Sequence, residues 1–204
     1  MSNFVGAQAF AQMGWDGKKK GKRESASGPG SKLVSTKNTR DFLCGVISEY
    51  GINSMIDLGC GDFHWMKEIR DLFSHVDYEG WDAHEGMLKE LTTKYGNDKT
   101  RFLYKDIVDS SYPDSIDLAL CRDVLFHLKI ENTLRVLHNI REAGIKYLLT
   151  TTYPDVEENV DIVEHGIRPQ WGFYPLNLDI EPFNLKEYLV SSREESLPPT
   201  NKPY

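Results

Sequence analysis

The chemistry-bearing residues of this 204-residue sequence gather around a glycine turn, Asp57-Leu58-Gly59-Cys60-Gly61, which ends a short apolar run. Two glycines at a strand-to-helix turn let the backbone approach a ligand closely, and a helix N-terminus offers free N–H groups. Asp82 stands 21 residues after Gly61, at the end of a second strand-like run, where a carboxylate can hold a ribose diol. Asp106 ends a third such run. The pattern predicts a ligand that contains a nucleoside.

Two common nucleotide motifs do not match this turn. A dinucleotide fingerprint, GxGxxG, needs a third glycine where this chain has His64. A phosphate-binding loop needs GK followed by Ser or Thr, which the turn does not contain. The turn is therefore poorly suited to a pyrophosphate, and a P-loop is excluded.

The elements that must position these residues alternate between strands and helices. Helical periodicity covers TRDFLCGVISEYG, DFHWMKEIRDLF, HEGMLKELTTKYG and NTLRVLHNIREAG. The sequences SMIDLG, VDYEGWD, RFLYKD, SIDLALC and KYLLTTT are typical of strands, and LKEYLVSS is a candidate sixth strand. Strands that alternate with helices of about 10–13 residues predict an α/β fold, with a mostly parallel sheet covered by helices on both faces.

Charge divides the chain into a basic leader and an acidic body. Residues 1–40 carry a net charge of +6, whereas the remaining 164 residues carry −13. Gly, Ser and Lys dominate residues 17–32, so we predict a partly flexible leader over 1–32 and one domain over 33–204. The segment at about 155–185 is rich in proline and aromatic residues, and we predict that it acts as a lid.

Residues 35–155 resemble the class I S-adenosylmethionine-dependent methyltransferases. The resemblance rests on the glycine turn, on Asp82, on Asp106-Ile107 and on Cys121-Arg122-Asp123, in the order of that family's motifs. The sequences CGDFHWM, CRDVLFHL and YLLTTTYP, with GPGS ahead of the first helix, resemble a subgroup of small bacterial and viral methyltransferases. The resemblance implies a single Rossmann-like domain with S-adenosylmethionine as cofactor. It also implies a C-terminal strand hairpin, for which this chain offers only one candidate strand.

The resemblance further implies a cofactor site at the ends of four strands. The glycine turn would lie under the methionine part of the cofactor, and Asp82 would bind the ribose hydroxyls. Asp106 would meet the adenine amino group while Ile107 packs on the ring, and Arg122 would line the methionine side. The cofactor-binding set is Asp57, Gly59, Cys60, Gly61, Asp82, Asp106, Ile107 and Arg122.

Three side chains near this site are candidates for catalysis: His127, Asp123 and His64. Methyl transfer from a sulfonium is an in-line displacement, in which the protein aligns the acceptor and excludes water. A hydroxyl acceptor usually needs a base, whereas an amine or a thiol can lose its proton to solvent. His127, after the fourth strand, is the best candidate base, and its ring equally fits a capping or packing role. His64 lies beside the turn, and Asp123 fits either an acceptor contact or hydrogen bonds to backbone amides.

Aromatic side chains and one arginine are candidates for the acceptor pocket. Trp65 and Tyr153 are assigned to it, and Arg168 is assigned to an acidic acceptor. Further aromatic candidates are Phe63, Trp171 and Tyr174. No metal site is predicted, because the residues after the fourth and fifth strands offer no obvious set of clustered ligands.

Three functions remain open from the sequence. The compact size and acidic body favour methyl transfer to a small-molecule or sugar-like acceptor. The alternative is a methyltransferase that acts on nucleic acid or protein through Lys18–Arg23, although the acidic body would repel a polyanion. The third is a non-catalytic scaffold with the same fold.

Cysteine usage and hydropathy bear on the compartment. Three cysteines without CxxC spacing favour a reducing, cytoplasmic compartment. No apolar run approaches the roughly 18 residues of a membrane span, so none is predicted. The oligomeric state is left open.

Overall fold

Helices and strands alternate along the chain in a computed structural model, which describes residues 24–161 and 174–195. In chain order the elements are α1 (Lys37–Glu49), β1 (Ser54–Leu58), β2 (Asp77–Asp82), α2 (Glu85–Tyr95), β3 (Thr100–Tyr104), β4 (Leu118–Cys121), α3 (Ile130–Glu142) and β5 (Tyr147–Thr150). Short 3₁₀ helices cover Pro29–Ser31, Met66–Glu68, Arg70–Phe73, Leu125–His127 and Lys186–Tyr188. Within these two ranges, no helix has the length and apolar character needed to cross a membrane.

The five strands form one parallel sheet in the order β3-β2-β1-β4-β5. The strand order reverses between β1 and β4, and ligands of open α/β sheets bind at such a point, beyond the carboxyl ends of the strands. The glycine turn leaves β1 on one side of this crevice, and Arg122 and Asp123 follow β4 on the other. The predicted α/β fold with a parallel sheet is confirmed.

Both faces of the sheet are covered, because successive side chains of each strand point to opposite faces. Met55 and Leu120 belong to a core on one face, which α1 and α2 complete. Ile56 and Ala119 belong to the other core, which α3 and residues 176–183 complete. The predicted arrangement of helices on both faces is therefore confirmed.

The predicted helix over DFHWMKEIRDLF is wrong. This segment folds as turns and two 3₁₀ helices, Met66–Glu68 and Arg70–Phe73. The Asp62 carboxylate accepts the backbone N–H of His64, and the guanidinium of Arg70 donates to the carbonyl of Phe73, so side chains replace part of a helical hydrogen-bond ladder. Leu72, placed by the periodicity on the apolar stripe, is 73% exposed. The glycine turn therefore leads into a turn rather than an α-helix.

The candidate sixth strand, LKEYLVSS, is not a strand. Lys186–Tyr188 forms a 3₁₀ helix, and residues 189–195 have no regular structure. Within the described ranges this segment pairs with no strand of the sheet, and Leu189 and Val190 are more than half exposed. Within the described ranges, β5 is thus the last strand at that edge of the sheet.

The two described ends of the predicted lid, residues 155–161 and 174–185, are held together. The side-chain amide of Asn177 donates to the carbonyls of Pro154 and Val156, and that of Asn159 donates to two carbonyls of the second end. Leu178 is buried in the core that α3 completes on the second face of the sheet. Both ends are therefore packed parts of the domain, and residues 162–173 lie outside the described ranges.

Candidate functional site

The backbone of the glycine turn adopts a conformation that other residues rarely take. Gly59 has φ 82° and Gly61 has φ 57°, both in the left-handed region. The N–H of Gly59 donates to the carbonyl of Trp81, which fixes the turn to β2. A Cβ on Gly59 would lie 2.5 Å from Cγ2 of Val124, and one on Gly61 would clash with Oγ of Ser27. Conformation and close neighbours therefore both require glycine here.

Two half-buried carboxylates follow the strands next to β1, Asp82 at the end of β2 and Asp106 just after β3. Asp82 accepts the N–H of Gly61 through Oδ2 and that of His84 through Oδ1, both at 3.0 Å. Asp106 accepts the N–H of Val108 through Oδ1 at 2.8 Å. A carboxylate offers about four lone-pair sites, so both groups can accept further hydrogen bonds from a ligand.

Asp57 lies below the turn rather than at its surface. Its side chain is buried, and Oδ2 accepts the hydroxyl of Tyr78 at 2.7 Å. Burial raises the pKa of Asp57 to about 7; Tyr78 and Arg122 oppose this increase, and the negative charge of Asp82 adds to it. Asp57 therefore supports the turn from inside the sheet, and its assignment to cofactor binding stays a prediction.

The raised pKa of Asp57 predicts that its contribution to folding stability is lost with rising pH. The unfolded chain has the ordinary pKa of ~3.9, so the folded protein binds the proton more tightly. This contribution is complete below that value and is lost as the pH rises through the folded pKa of about 7. Relative to Asp57→Asn, the wild-type free energy of unfolding should fall by up to about 1.4 kcal/mol per pH unit between about pH 5 and 7.

Urea unfolding at several pH values measures this difference. The matched control is Asp98→Asn, which removes an exposed carboxylate from a turn. The difference in unfolding free energy between the wild type and Asp57→Asn should change with pH. If it stays as constant as the difference between the wild type and Asp98→Asn, the pKa of Asp57 is not raised in the folded protein.

The thiols near the turn do not provide a nucleophile. Burial and the carboxylates of Asp82 and Asp57 raise the pKa of Cys60 well above its ordinary value, and burial also raises the pKa of Cys121. The Cys60 side chain faces β2, where a Cβ on Gly80 would lie 3.0 Å from its Sγ. The sulfur of Cys60 is therefore packed inside the sheet, and its N–H donates to the carbonyl of Trp81.

Residues 24–31, the described end of the basic leader, lie against the turn. The Asp62 carboxylate accepts the hydroxyls of Ser25 and Ser27 and the N–H of Ala26. The Asp62 N–H donates in return to Oγ of Ser27 at 2.8 Å. The leader therefore covers the glycine turn at this point. Sequence reasoning missed both serines, and the GPGS resemblance was the one signal for their segment.

Arg122, directly after β4, is buried and fully engaged within the chain. Its guanidinium pairs with Asp123 at 2.9 Å and with Glu195 at 2.6 Å, and Nη2 donates to the Gly30 carbonyl at 3.1 Å. Burial acts to lower the pKa of Arg122, and the two carboxylates outweigh it, so the pKa is raised. The structure thus joins the leader, β4 and the C-terminal segment at one cation, and no motif or periodicity points to Glu195.

The three catalytic candidates are held in different ways. Nε2 of His64 lies 3.1 Å from a carboxylate oxygen of Glu24, which also accepts the N–H of Leu33. Asp123 has φ 57°, and its Oδ1 accepts the hydroxyl of Thr151 at 3.1 Å. His127 ends a 3₁₀ helix, and its ring lies edge-on to that of Phe126.

Among the acceptor-pocket candidates, Phe63 lies in the hydrophobic core. It is buried between Tyr78 and Phe102 in the core that α1 and α2 complete, so it does not line a pocket. Trp65 is also buried, under the guanidinium of Arg122. Arg168 and Trp171 lie outside the described residues, and no placement is given for them.

Tyr153 and Tyr174 both lie near Phe126. Tyr153 is half-buried, its ring contacts that of Phe126, and burial raises its pKa to about 12. The Tyr174 N–H donates to the Phe126 carbonyl. Across residues 24–161 and 174–195, no cluster of His, Cys, Asp and Glu is arranged to hold a metal ion.

Residues 55–143 match the family model described as a methyltransferase domain. A search of curated proteins finds no match. The chain is similar to the solved structure of mitomycin 7-O-methyltransferase, at 19% identity and a TM-score of 0.47, over 61% of this chain and 38% of that one. It is also similar to an O-methyltransferase family protein from Burkholderia thailandensis, at 15% identity and a TM-score of 0.49, over 60% of this chain and 40% of that one. The chain spans about two fifths of the length of these two proteins.

Proposed function

We propose that this chain, whose residues 55–143 match the model of a methyltransferase domain, is a class I, S-adenosylmethionine-dependent methyltransferase that acts on a small-molecule acceptor. The observation that carries the proposal is the arrangement at the β1–β4 crevice. The glycine turn with left-handed backbone and the half-buried carboxylates of Asp82 and Asp106 follow three adjacent strands at their carboxyl ends, and both carboxylates have lone pairs to spare.

The residues at the crevice fit S-adenosylmethionine chemically. Asp82 would accept the ribose hydroxyls, Asp106 would accept the adenine amino group, and Ile107 would pack on the ring. When bound, the cofactor supplies a methyl group on a positively charged sulfur, and an acceptor atom displaces that sulfur in line. The negative charge around the turn suits such a cation.

The chain's own residues then have to align the acceptor and exclude water. Ser25 and Ser27 hydrogen-bond to Asp62, and Ser27 packs against Gly61, so their segment lies over the glycine turn. Glu24 accepts a hydrogen bond from Nε2 of His64, which favours the tautomer protonated there and leaves Nδ1 able to take a proton. His64 is therefore a candidate base for a hydroxyl acceptor, together with His127, while Asp123 is held by Arg122 and Thr151.

Two observations support a small-molecule acceptor over a polyanion. The chain after residue 40 carries a net charge of −13, which repels nucleic acid. Residues 24–31 cover the turn and narrow the approach to the crevice.

The three free cysteines support a reducing, cytoplasmic setting for the reaction.

We expect calorimetry to detect binding of S-adenosylhomocysteine to the full chain. A form that lacks residues 1–23 should bind it with the same affinity, because the contacts of Glu24–Ser31 with the turn are kept. Methyl transfer from labelled S-adenosylmethionine to pools of small hydroxyl, amine and thiol compounds then identifies the acceptor class.

The outcomes separate the three functions. Absence of S-adenosylhomocysteine binding would favour a non-catalytic scaffold. Retention on heparin and methylation of RNA, DNA or protein, both lost on removal of residues 1–23, would favour a macromolecular substrate recruited by Lys18–Arg23. Label transfer to a small compound by both forms supports the proposal.

A further inference from the structure

A buried cation at the crevice takes a carboxylate partner from the C-terminal segment. The Arg122 side chain is 5% exposed. Its Nε and Nη2 donate to the two carboxylate oxygens of Glu195 at 2.6 and 3.0 Å, which is the paired geometry of a guanidinium–carboxylate fork. The buried hydroxyl of Thr39, in the first turn of α1, donates to the same carboxylate at 2.7 Å. Arg122 and Thr39 therefore form a receptor shaped for a carboxylate.

Arg122 carries one positive charge and pairs with two carboxylates, so Glu195 is not required to neutralise it. Asp123 already pairs with the guanidinium at 2.9 Å, so the cation stays neutralised if Glu195 leaves. Burial raises the pKa of Asp123 and the negative charge of Glu195 raises it further, which records repulsion between the two carboxylates. Removal of Glu195 thus leaves no unpaired buried charge, the usual cost of breaking a buried ion pair.

The segment that carries Glu195 has few other attachments. Residues 186–194 are all exposed, so their release uncovers little apolar surface. The backbone carbonyl of Glu194 accepts one hydrogen bond from the Asn38 side chain. A segment of this kind can leave the receptor without unfolding the domain.

We propose that Arg122 and Thr39 form a carboxylate-binding subsite, that Glu195 fills it from within the chain, and that a ligand carboxylate takes the place of Glu195. The use of this subsite in methyl transfer rests on the proposed function. Two sources share the required chemistry: the amino-acid carboxylate of the cofactor and a carboxylate on the acceptor. Glu195 stands in for either.

Chemical rescue tests the receptor without reference to the reaction. The variant Glu195→Ala leaves the subsite open, and propionate should raise its melting temperature while the isosteric amide propionamide does not. The matched control Glu194→Ala removes the neighbouring exposed carboxylate and should respond to propionate no more than the wild type. A Thr39→Val change added to Glu195→Ala should weaken the response to propionate.

Equal responses of Glu195→Ala and Glu194→Ala to propionate, or equal responses to propionate and propionamide, would overturn the proposal. If Glu195→Ala does not fold, Glu195→Gln replaces it, because Gln keeps the side-chain shape and loses the charge. Calorimetric binding of propionate by Glu195→Gln but not by Glu194→Gln is then the expected result, and equal binding would contradict it.

Two nucleosides distinguish the sources of the carboxylate. 5′-Methylthioadenosine lacks the amino-acid part that S-adenosylhomocysteine carries. If the cofactor supplies the carboxylate, Glu195→Ala should bind S-adenosylhomocysteine about tenfold more tightly than the wild type, with 5′-methylthioadenosine unchanged. If the acceptor supplies it, both affinities stay unchanged, and propionate still binds Glu195→Ala that is saturated with S-adenosylhomocysteine. If neither nucleoside binds any form, the proposed methyltransferase activity fails, and the propionate response still decides the subsite.

Discussion

The substitution Asp82→Ala is expected to weaken the binding of S-adenosylhomocysteine by at least about a hundredfold. A hydrogen bond to a charged group contributes about 1.5–3 kcal/mol, and a ribose diol can donate two of them to one carboxylate. Asp82 also accepts the N–H of Gly61, so its loss removes one of the hydrogen bonds that hold the turn against β2. Calorimetric titration of folded protein measures the change in affinity.

A second aspartate of the same strand provides the control. Asp77 begins β2, at the opposite edge of the sheet, and pairs with Lys99 at the surface. We expect Asp77→Ala to bind S-adenosylhomocysteine like the wild type. If Asp82→Ala keeps its fold, as judged by circular dichroism, and binds as tightly as Asp77→Ala, then Asp82 does not hold the ribose.

The strand ends could be predicted because two local signals coincide there. Short apolar runs indicate buried strands, and the glycines or aspartates that follow them indicate where each run ends. In a parallel sheet all carboxyl ends meet at one edge, so chain order alone places Gly61, Asp82 and Asp106 together. The structure has these residues at that edge, with Asp82 in direct contact with Gly61.

The cover over the crevice could not be predicted, because its contacts join distant parts of the chain. Ser25 lies 37 residues from its partner Asp62, and Arg122 lies 73 residues from Glu195. A segment rich in Ser and Gly has the same local composition whether it is a free linker or is packed on a turn. The partners, Asp62 and Glu195, are acidic residues of a kind usually found at the surface, so composition does not indicate that they have a partner.

The segment 62–73 shows how periodicity can mislead. Its apolar residues recur at helical spacing, which assumes that its polar residues face solvent. Arg70 is instead buried, and it donates to backbone carbonyls that a regular helix or a longer strand would pair. A charge on the inner side of a segment is invisible to a pattern that sorts residues by polarity.

We expect Arg70→Leu to lower the free energy of unfolding by about 3–5 kcal/mol. The guanidinium donates to the carbonyls of Phe73, Val76 and Lys99 at 2.6–2.8 Å, and its Nε donates to the hydroxyl of Thr100. Leucine fills much of the volume and donates nothing, so all four hydrogen bonds of the guanidinium are lost. The carbonyls of Phe73 and Lys99 keep the N–H groups of Val76 and Tyr78 as donors, and a buried acceptor left unpaired, such as the Val76 carbonyl, costs about 1–3 kcal/mol. Urea unfolding at low temperature measures the loss.

The neighbouring exposed arginine separates this effect from a simple loss of charge. Arg101 on β3 is 60% exposed and pairs with Glu79 at 3.4 Å, so Arg101→Leu should cost less than about 1 kcal/mol. Arg70→Lys keeps the charge and loses the planar fork, and its stability should lie between those of Arg70→Leu and the wild type. Arg70 joins the amino ends of β2 and β3, opposite the crevice, so folded Arg70→Lys should bind S-adenosylhomocysteine like the wild type. Equal stabilities of Arg70→Leu and Arg101→Leu would mean that water replaces the guanidinium at these carbonyls.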